Sequence, residues 1–164
     1  HPSIDGFGDR VAFDSAATNL SGLANRVENV YLRDLRRRDT LLVSRSGGRE
    51  GAAGDGDSSM PDLPRDGRFV CFQSVAGNLG NPYDGYGVDP HAGNVYVHDM
   101  LHHGTFLISR QPGRYAPGGN GDSQSVACSA GASYAAFQSV ATNLGAGVAP
   151  GVSEIYRRTI FGGR

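Results

Sequence analysis

The letters "FDSAATNL" at 13–20 return as "FQSVAGNL" at 72–79 and again as "FQSVATNL" at 137–144. This threefold near-identity limits the fold more than any other feature of the chain. The steps from Phe13 to Phe72 and from Phe72 to Phe137 are 59 and 65 residues, and other landmarks keep the same offsets. "NVYLRD" (29–34) returns as "NVYVHD" (94–99) and, weakened, as "SEIYRR" (153–158). "TLLVSR" (40–45) matches "TFLISR" (105–110), and "GDGDSS" (54–59) matches "GNGDSQ" (119–124). Even "HPSI" at 1–4 falls on "MPDL" at 60–63. Chance similarity does not hold register over such lengths, so the chain is built from repeated units.

Each unit carries short apolar runs separated by turn residues. In the second these are Ser59 to Leu63, Arg68 to Ser74, Asn94 to Asp99 and Thr105 to Ser109. Asp66-Gly67 introduces the run 68–74, which is rich in β-formers. Asn94 to Asp99 alternates at period two, and the segment 102–104 supplies a turn. Runs of five to seven residues bounded by glycine or proline are too short for helices. Four short antiparallel strands in a repeat of about 60 residues describe one blade of a β-propeller. Such a sheet is apolar on both faces and buries them only by stacking on neighbours. The sequence therefore predicts an all-β propeller of three consecutive four-stranded blades. They span 1–46 (first strand truncated), 47–112, and 113–164 (outer strand missing or improvised from Ile160 and Phe161). Pro2 and Pro61 fall in the presumed innermost strands, where an unpaired edge tolerates proline.

The segment 66–74, Asn78-Leu79, the segment 95–99 and the run from Thr105 to Ser109 together resemble the WD-repeat-like propeller repeats of the TolB type. The resemblance covers nearly the whole chain, and the middle unit fits best. It implies a propeller, and a periplasmic or extracellular location in a bacterium. The chain departs from the family in the loops 21–29, 80–94 and 145–154, which have mostly lost the family's acidic residues. It departs again at Gly8-Asp9-Arg10 and at 132–134, where Asp-Gly-Arg is expected.

Composition removes several chemistries. A net charge of -1, from 15 cationic and 16 acidic residues, offers no basic field for nucleic acid. Every cation is arginine, so neither a Schiff-base lysine nor a P-loop lysine exists. No apolar stretch reaches the roughly 18 residues of a membrane span. No Gly-x-Ser-x-Gly elbow anchors a hydrolase triad, and without tryptophan an Asp-box sialidase loses its main cue.

Three blades are fewer than the four to eight or so that usually close a ring. The chain is therefore expected to be part of a larger propeller, or half of a ring completed by a second copy. Protein partners or further blades are the expected contacts. A non-catalytic binding scaffold is the favoured function. The propeller portion of a larger enzyme such as a peptidase, and a subunit assembling into rings or filaments, are the alternatives. Tyr83, Asp84, Tyr86, Asp89 and His91, in the longest loop, are candidate contact residues. No cofactor is required, although Asp55, Asp57, Asn120 and Asp122 offer oxygen ligands of the kind calcium takes; turn formation is the favoured explanation of them. His98, His102 and His103 align with Arg33, Arg37 and Arg38, which points to a solvated polar edge. Cys71 in the second strand of the middle blade and Cys128 in the first strand of the next could face each other across a blade interface, but spacing does not fix their separation; free buried thiols are the favoured state over a bond.

Overall fold

A computed structural model describes residues 1–80, 92–113 and 116–160. Among these residues the chain forms three antiparallel sheets in simple up-and-down order. The first contains β1 (Pro2–Ile4), β2 (Arg10–Ser15), β3 (Asn29–Asp34) and β4 (Asp39–Leu42). The second contains β5 (Ser58–Asp62), β6 (Phe69–Ser74), β7 (Asn94–Asp99) and β8 (Gly104–Leu107). The third contains β9 (Ser123–Cys128), β10 (Tyr134–Ser139) and β11 (Glu154–Thr159). The fold is a partial β-propeller. The third sheet has three strands among the described residues; Ile160 lies in a bend, and Phe161 is outside them.

Period-two alternation decides where the core sits. In β6, Val70 and Phe72 face the first sheet and pack with Ala12, Val30, Leu32 and Val43. Phe69 and Cys71, one residue out of step, face the third sheet and pack with Val126, Ala135, Phe137 and Tyr156. β7 divides in the same way, with Tyr96 on one side and Val95 and Val97 on the other. The middle sheet is thus covered on both faces, which is why its two central strands read as nearly continuous apolar runs. Each large side chain so buried contributes about 1.5–3 kcal/mol.

The repeated octapeptide is a set of local contacts made three times over. Its phenylalanine sits opposite a tyrosine of the third strand: Phe13 and Tyr31, Phe72 and Tyr96, Phe137 and Tyr156. These rings stack with centroids 5.7, 5.8 and 5.7 Å apart. The same tyrosine hydroxyls donate to the carbonyls of Ala17, Ala76 and Ala141 at 3.3, 3.4 and 3.5 Å. The serine hydroxyl accepts from the amide of that alanine, at 3.1 Å for Ser15, 3.0 Å for Ser74 and 3.1 Å for Ser139. The asparagine holds the loop entering the innermost strand: the Asn78 and Asn143 side chains donate to Ala53 and Gly118 carbonyls at 2.9 and 3.0 Å. Leu79 and Leu144 complete the pattern in the core. That loop approaches closely enough that a Cβ on Gly54 would lie 3.3 Å from both Ala76 Cβ and Leu79 Cδ2.

The innermost strands are edge strands, as the prolines require. β5 and β9 each carry a bulge: register slips between Ser59 and Asp62, and between Ala136 and Gln138 on the partner of β9. Met60 and Ser125 sit at these bulges with φ of 55°. A left-handed non-glycine residue costs about 1 kcal/mol. Here the preceding sheet holds it in place. Asp14 Oδ2 accepts from the Met60 amide at 3.0 Å, and Gln73 Oε1 accepts from the Ser125 amide at 3.3 Å. Both acceptors directly follow the repeated phenylalanine.

The cysteines correct the sequence reading. Cys71 and Cys128 form a disulfide between β6 and β9, with Cα atoms 6.5 Å apart. By repeat alignment they occupy the places of Ala12 and Leu63, which belong to the core of the first interface. The repeat fixes which strand each is on, but neither their separation nor whether two thiols there will bond. The bond closes 57 residues of chain. Reducing it, or making Cys128→Ala, is expected to lower unfolding free energy by about 2–4 kcal/mol, read as a fall in the urea midpoint.

Candidate functional site

On the rim where the repeated octapeptides lie, the four oxygen-bearing candidates act as backbone pins. Asp55 Oδ1 accepts from the Gly77 amide at 2.7 Å, and its counterpart Asn120 Oδ1 accepts from Thr142 at 2.8 Å. Acid and amide oxygens serve this purpose equally, which accounts for the exchange between units. Asp57 and Asp122 reach the preceding sheet instead, accepting from the amides of Glu28 at 2.9 Å and Gly93 at 2.7 Å. Ser58 and Ser123 complete each link by donating to the carbonyls of the same two residues. Among the described residues no three His, Cys, Asp or Glu side chains are placed to hold a metal ion. Tyr83, Asp84, Tyr86, Asp89 and His91 lie outside the described residues.

The three histidines are not brought together on one edge. His98 is 1% exposed, against the expectation of a solvated edge. Its Nδ1 lies 2.7 Å from Thr105 Oγ1, which donates to the Arg45 carbonyl at 2.6 Å. The segment after β4, anchored by Gly48 donating to the His103 carbonyl, covers this strand. Burial, then the positive charges of Arg45 and His103, push the imidazole down to about 3, so it is neutral at physiological pH. His102 lies outside, with Nδ1 2.8 Å from Asp99 Oδ2. Asp99 also accepts from Arg68 Nε and Nη2 at 3.0 and 2.6 Å. Its carboxyl lies well below the usual range: burial raises it, but the hydrogen bonds from Arg68, His102 and two backbone amides outweigh that.

The opposite rim contains a feature that the sequence reading missed. Two adjoining cavities, of about 310 and 250 Å³, open between the first and second sheets. They share Arg10, Asp34 and Arg37. Arg10 braces the junction, donating to the Gly67 carbonyl at 2.8 Å and lying 3.4 Å from Asp34. The larger cavity is polar, with Asp5, Asp9 and Asp66 in its wall. The smaller one has a floor and walls of Leu32, Leu41, Met100 and Leu101 beneath Arg10, Arg37 and Arg68. Its residues come from β2, β3, the turn between β3 and β4, β4, the bend just before β6 and the turn after β7, a combination that no contiguous motif displays.

A further exposed surface is the free face of the third sheet. Val30 in β3 and Val95 in β7 are 0% exposed; the equivalent residue of β11, Ile155, is 73% exposed. Tyr134 is exposed at the other end of the same face, with the Arg157 guanidinium 4.9 Å above its ring.

No protein-family model matches the chain, and no curated protein sequence does. Solved structures do. The chain is similar to TolB from Acinetobacter baumannii, with TM-score 0.53 and 15% identity over 97% of this chain and 29% of that one. It is similar to a putative TolB from Agrobacterium tumefaciens, with TM-score 0.55 and 11% identity over 96% and 44% of the two chains. A weaker likeness, TM-score 0.44 and 13% identity over 84% and 33%, is to the β-propeller domain of the Trilobed protease from Pyrococcus furiosus. The chain thus has the fold of TolB-type propellers and spans less than half the length of these two TolB chains.

Two outcomes are expected. Asp57→Asn keeps an acceptor for the Glu28 amide and costs under about 0.5 kcal/mol, whereas Asp57→Ala gives that exposed amide over to water and costs about 0.5–1.5 kcal/mol. If the loop held a cation, added calcium would raise the melting temperature of the wild type and of neither variant. The second concerns pH. Because the folded pKa of His98 is depressed, its unfolded state binds the extra proton, and stability is full above about pH 6.5. It falls as pH drops towards 3. A His98→Gln variant is expected to flatten the melting-temperature profile between pH 6.5 and 4.5, above the range where the Asp99 carboxyl begins to titrate.

Proposed function

We propose that the chain is a non-catalytic segment of a β-propeller that serves as a protein-binding scaffold in the envelope or secreted fraction of a bacterium. The observation that carries this is the contrast among equivalent residues: Val30 and Val95 covered completely, Ile155 uncovered. An apolar side chain kept at a position whose repeats are all buried is suited to a protein neighbour. In this reading a further blade seats on the free face of the third sheet. The Cys71–Cys128 disulfide supports the location, since such bonds persist in oxidising compartments and are rare in a reducing cytosol. The TolB-type fold is consistent with both statements and specifies no partner.

The tests are separable. Protein taken from cells, denatured without reductant and treated with a polyethylene glycol maleimide, is expected to show no reactive thiol; two reactive thiols would place the chain in a reducing compartment. Replacing Ile155 with aspartate is expected to leave the melting temperature of the 164-residue chain within about 1 °C. The same change should abolish association with the neighbouring blade, measured by sedimentation. If association persists, the free face is not the contact.

A further inference from the structure

We propose that the 250 Å³ cleft between the first two sheets binds an extended segment of a partner protein that presents one carboxylate flanked by apolar side chains. The proposal rests on the scaffold reading and assigns one of its contact sites. Leu101, 63% exposed, and Leu41, 39% exposed, line the cleft with Met100, and the buried Leu32 lies among them. Methionine and arginine are enriched at protein contacts, and Met100 stands here with Arg10, Arg37 and Arg68, while the leucines add apolar area for a partner to cover.

The charge of the cleft is a matter of which arginine is already spoken for. Arg68 is held in a two-point grip by Asp99. Arg10 is divided between the Gly67 carbonyl and Asp34. Asp34 also accepts from the Arg37 backbone amide at 2.9 Å. Arg37 itself is exposed, and among the described residues its guanidinium has neither a hydrogen-bond nor an ion-pair partner, although it contributes to the field at Asp34. The smaller cavity is therefore left with one guanidinium that no acceptor among the described residues engages, beside an apolar floor. A guanidinium grips a carboxylate through two parallel N–H donors, which suits this vacancy better than a neutral acceptor would. A second carboxylate is disfavoured on the other side of Arg10, where Asp5 and Asp66 line the adjoining cavity. The site thus selects for one acid with apolar neighbours, not for an acidic run.

Binding of the blocked tripeptide acetyl-Leu-Glu-Leu-amide to the isotope-labelled chain, followed by amide shifts in nuclear magnetic resonance, tests this. The expected result is saturable shifts confined to the lining residues and their chain neighbours, 9–11, 32–42, 67–69 and 99–103. Affinity should fall about fivefold or more in Arg37→Ala and in Leu101→Ser, and for the glutamine twin of the peptide. Both replaced side chains are exposed, and unchanged shifts elsewhere will confirm that the variants fold. Equal binding of the glutamine twin, shifts centred elsewhere, or no saturation at millimolar peptide would overturn the proposal. Shifts of the same amides on raising protein concentration alone would assign the cleft to a second copy and overturn it too. A chain that ignores the peptide yet still associates through Ile155 loses this cleft and keeps the scaffold reading.

Discussion

A sheet with apolar side chains on both faces cannot be a surface. That requirement governs the structure described here. The middle sheet satisfies it through neighbours on both sides, and β6 and β7 carry almost no exposed residue as a result. β2 and β11, in the sheets at either end, are only half covered and have lost that continuity of burial. Stacking also brings polar groups together, and the chain meets this with side-chain acceptors that reach from one sheet to the next. Asp14 and Gln73 take bulge amides, and Asp57 and Asp122 take the amides ahead of each third strand. Each such bond is modest in net terms, about 0.5–1.5 kcal/mol, and three of the four are open to solvent, so their part is to fix one sheet against the next.

The two rims have different roles. On one, the entry loops are occupied in fixing blade to blade, and their carboxylates are spent on backbone amides. The other has turns of unlike sequence, "LRRRD" against "MLHHG", although Arg38 and His103 adopt the same left-handed conformation in both. Geometry repeats there and chemistry does not. A scaffold gains individuality in this way: the repeated positions hold the form, and the free ones vary in what they present.

How much of this was legible follows from which interactions are periodic. The four strands of the second unit, the repeat register and the edge position of Pro2 and Pro61 could be read because alternation and offset are properties of the string. That Cys71 and Cys128 could stand on facing strands was legible, but neither their close approach nor the bond was, since the repeat fixes which strand a residue is on and not the distance between two sheets. His98 was misjudged because what covers it is the segment 45–48 of the preceding unit, and Arg33, its counterpart, has its own use for Thr40 at 3.0 Å. The bulges at Met60 and Ser125 left no mark beyond the nearby proline. The cleft was invisible because its lining comes from scattered strands and turns of two units.

The two interfaces differ in one respect with a mechanical consequence. Between the first and second sheets, Ala12 and Leu63 belong to a core held by non-covalent contact alone; at the matching place between the second and third stands a covalent tether. If the chain were pulled from its two ends, the strands of the first sheet could be drawn out to their full length, whereas the stretch between Cys71 and Cys128 could not lengthen until the bond between the sulfurs broke.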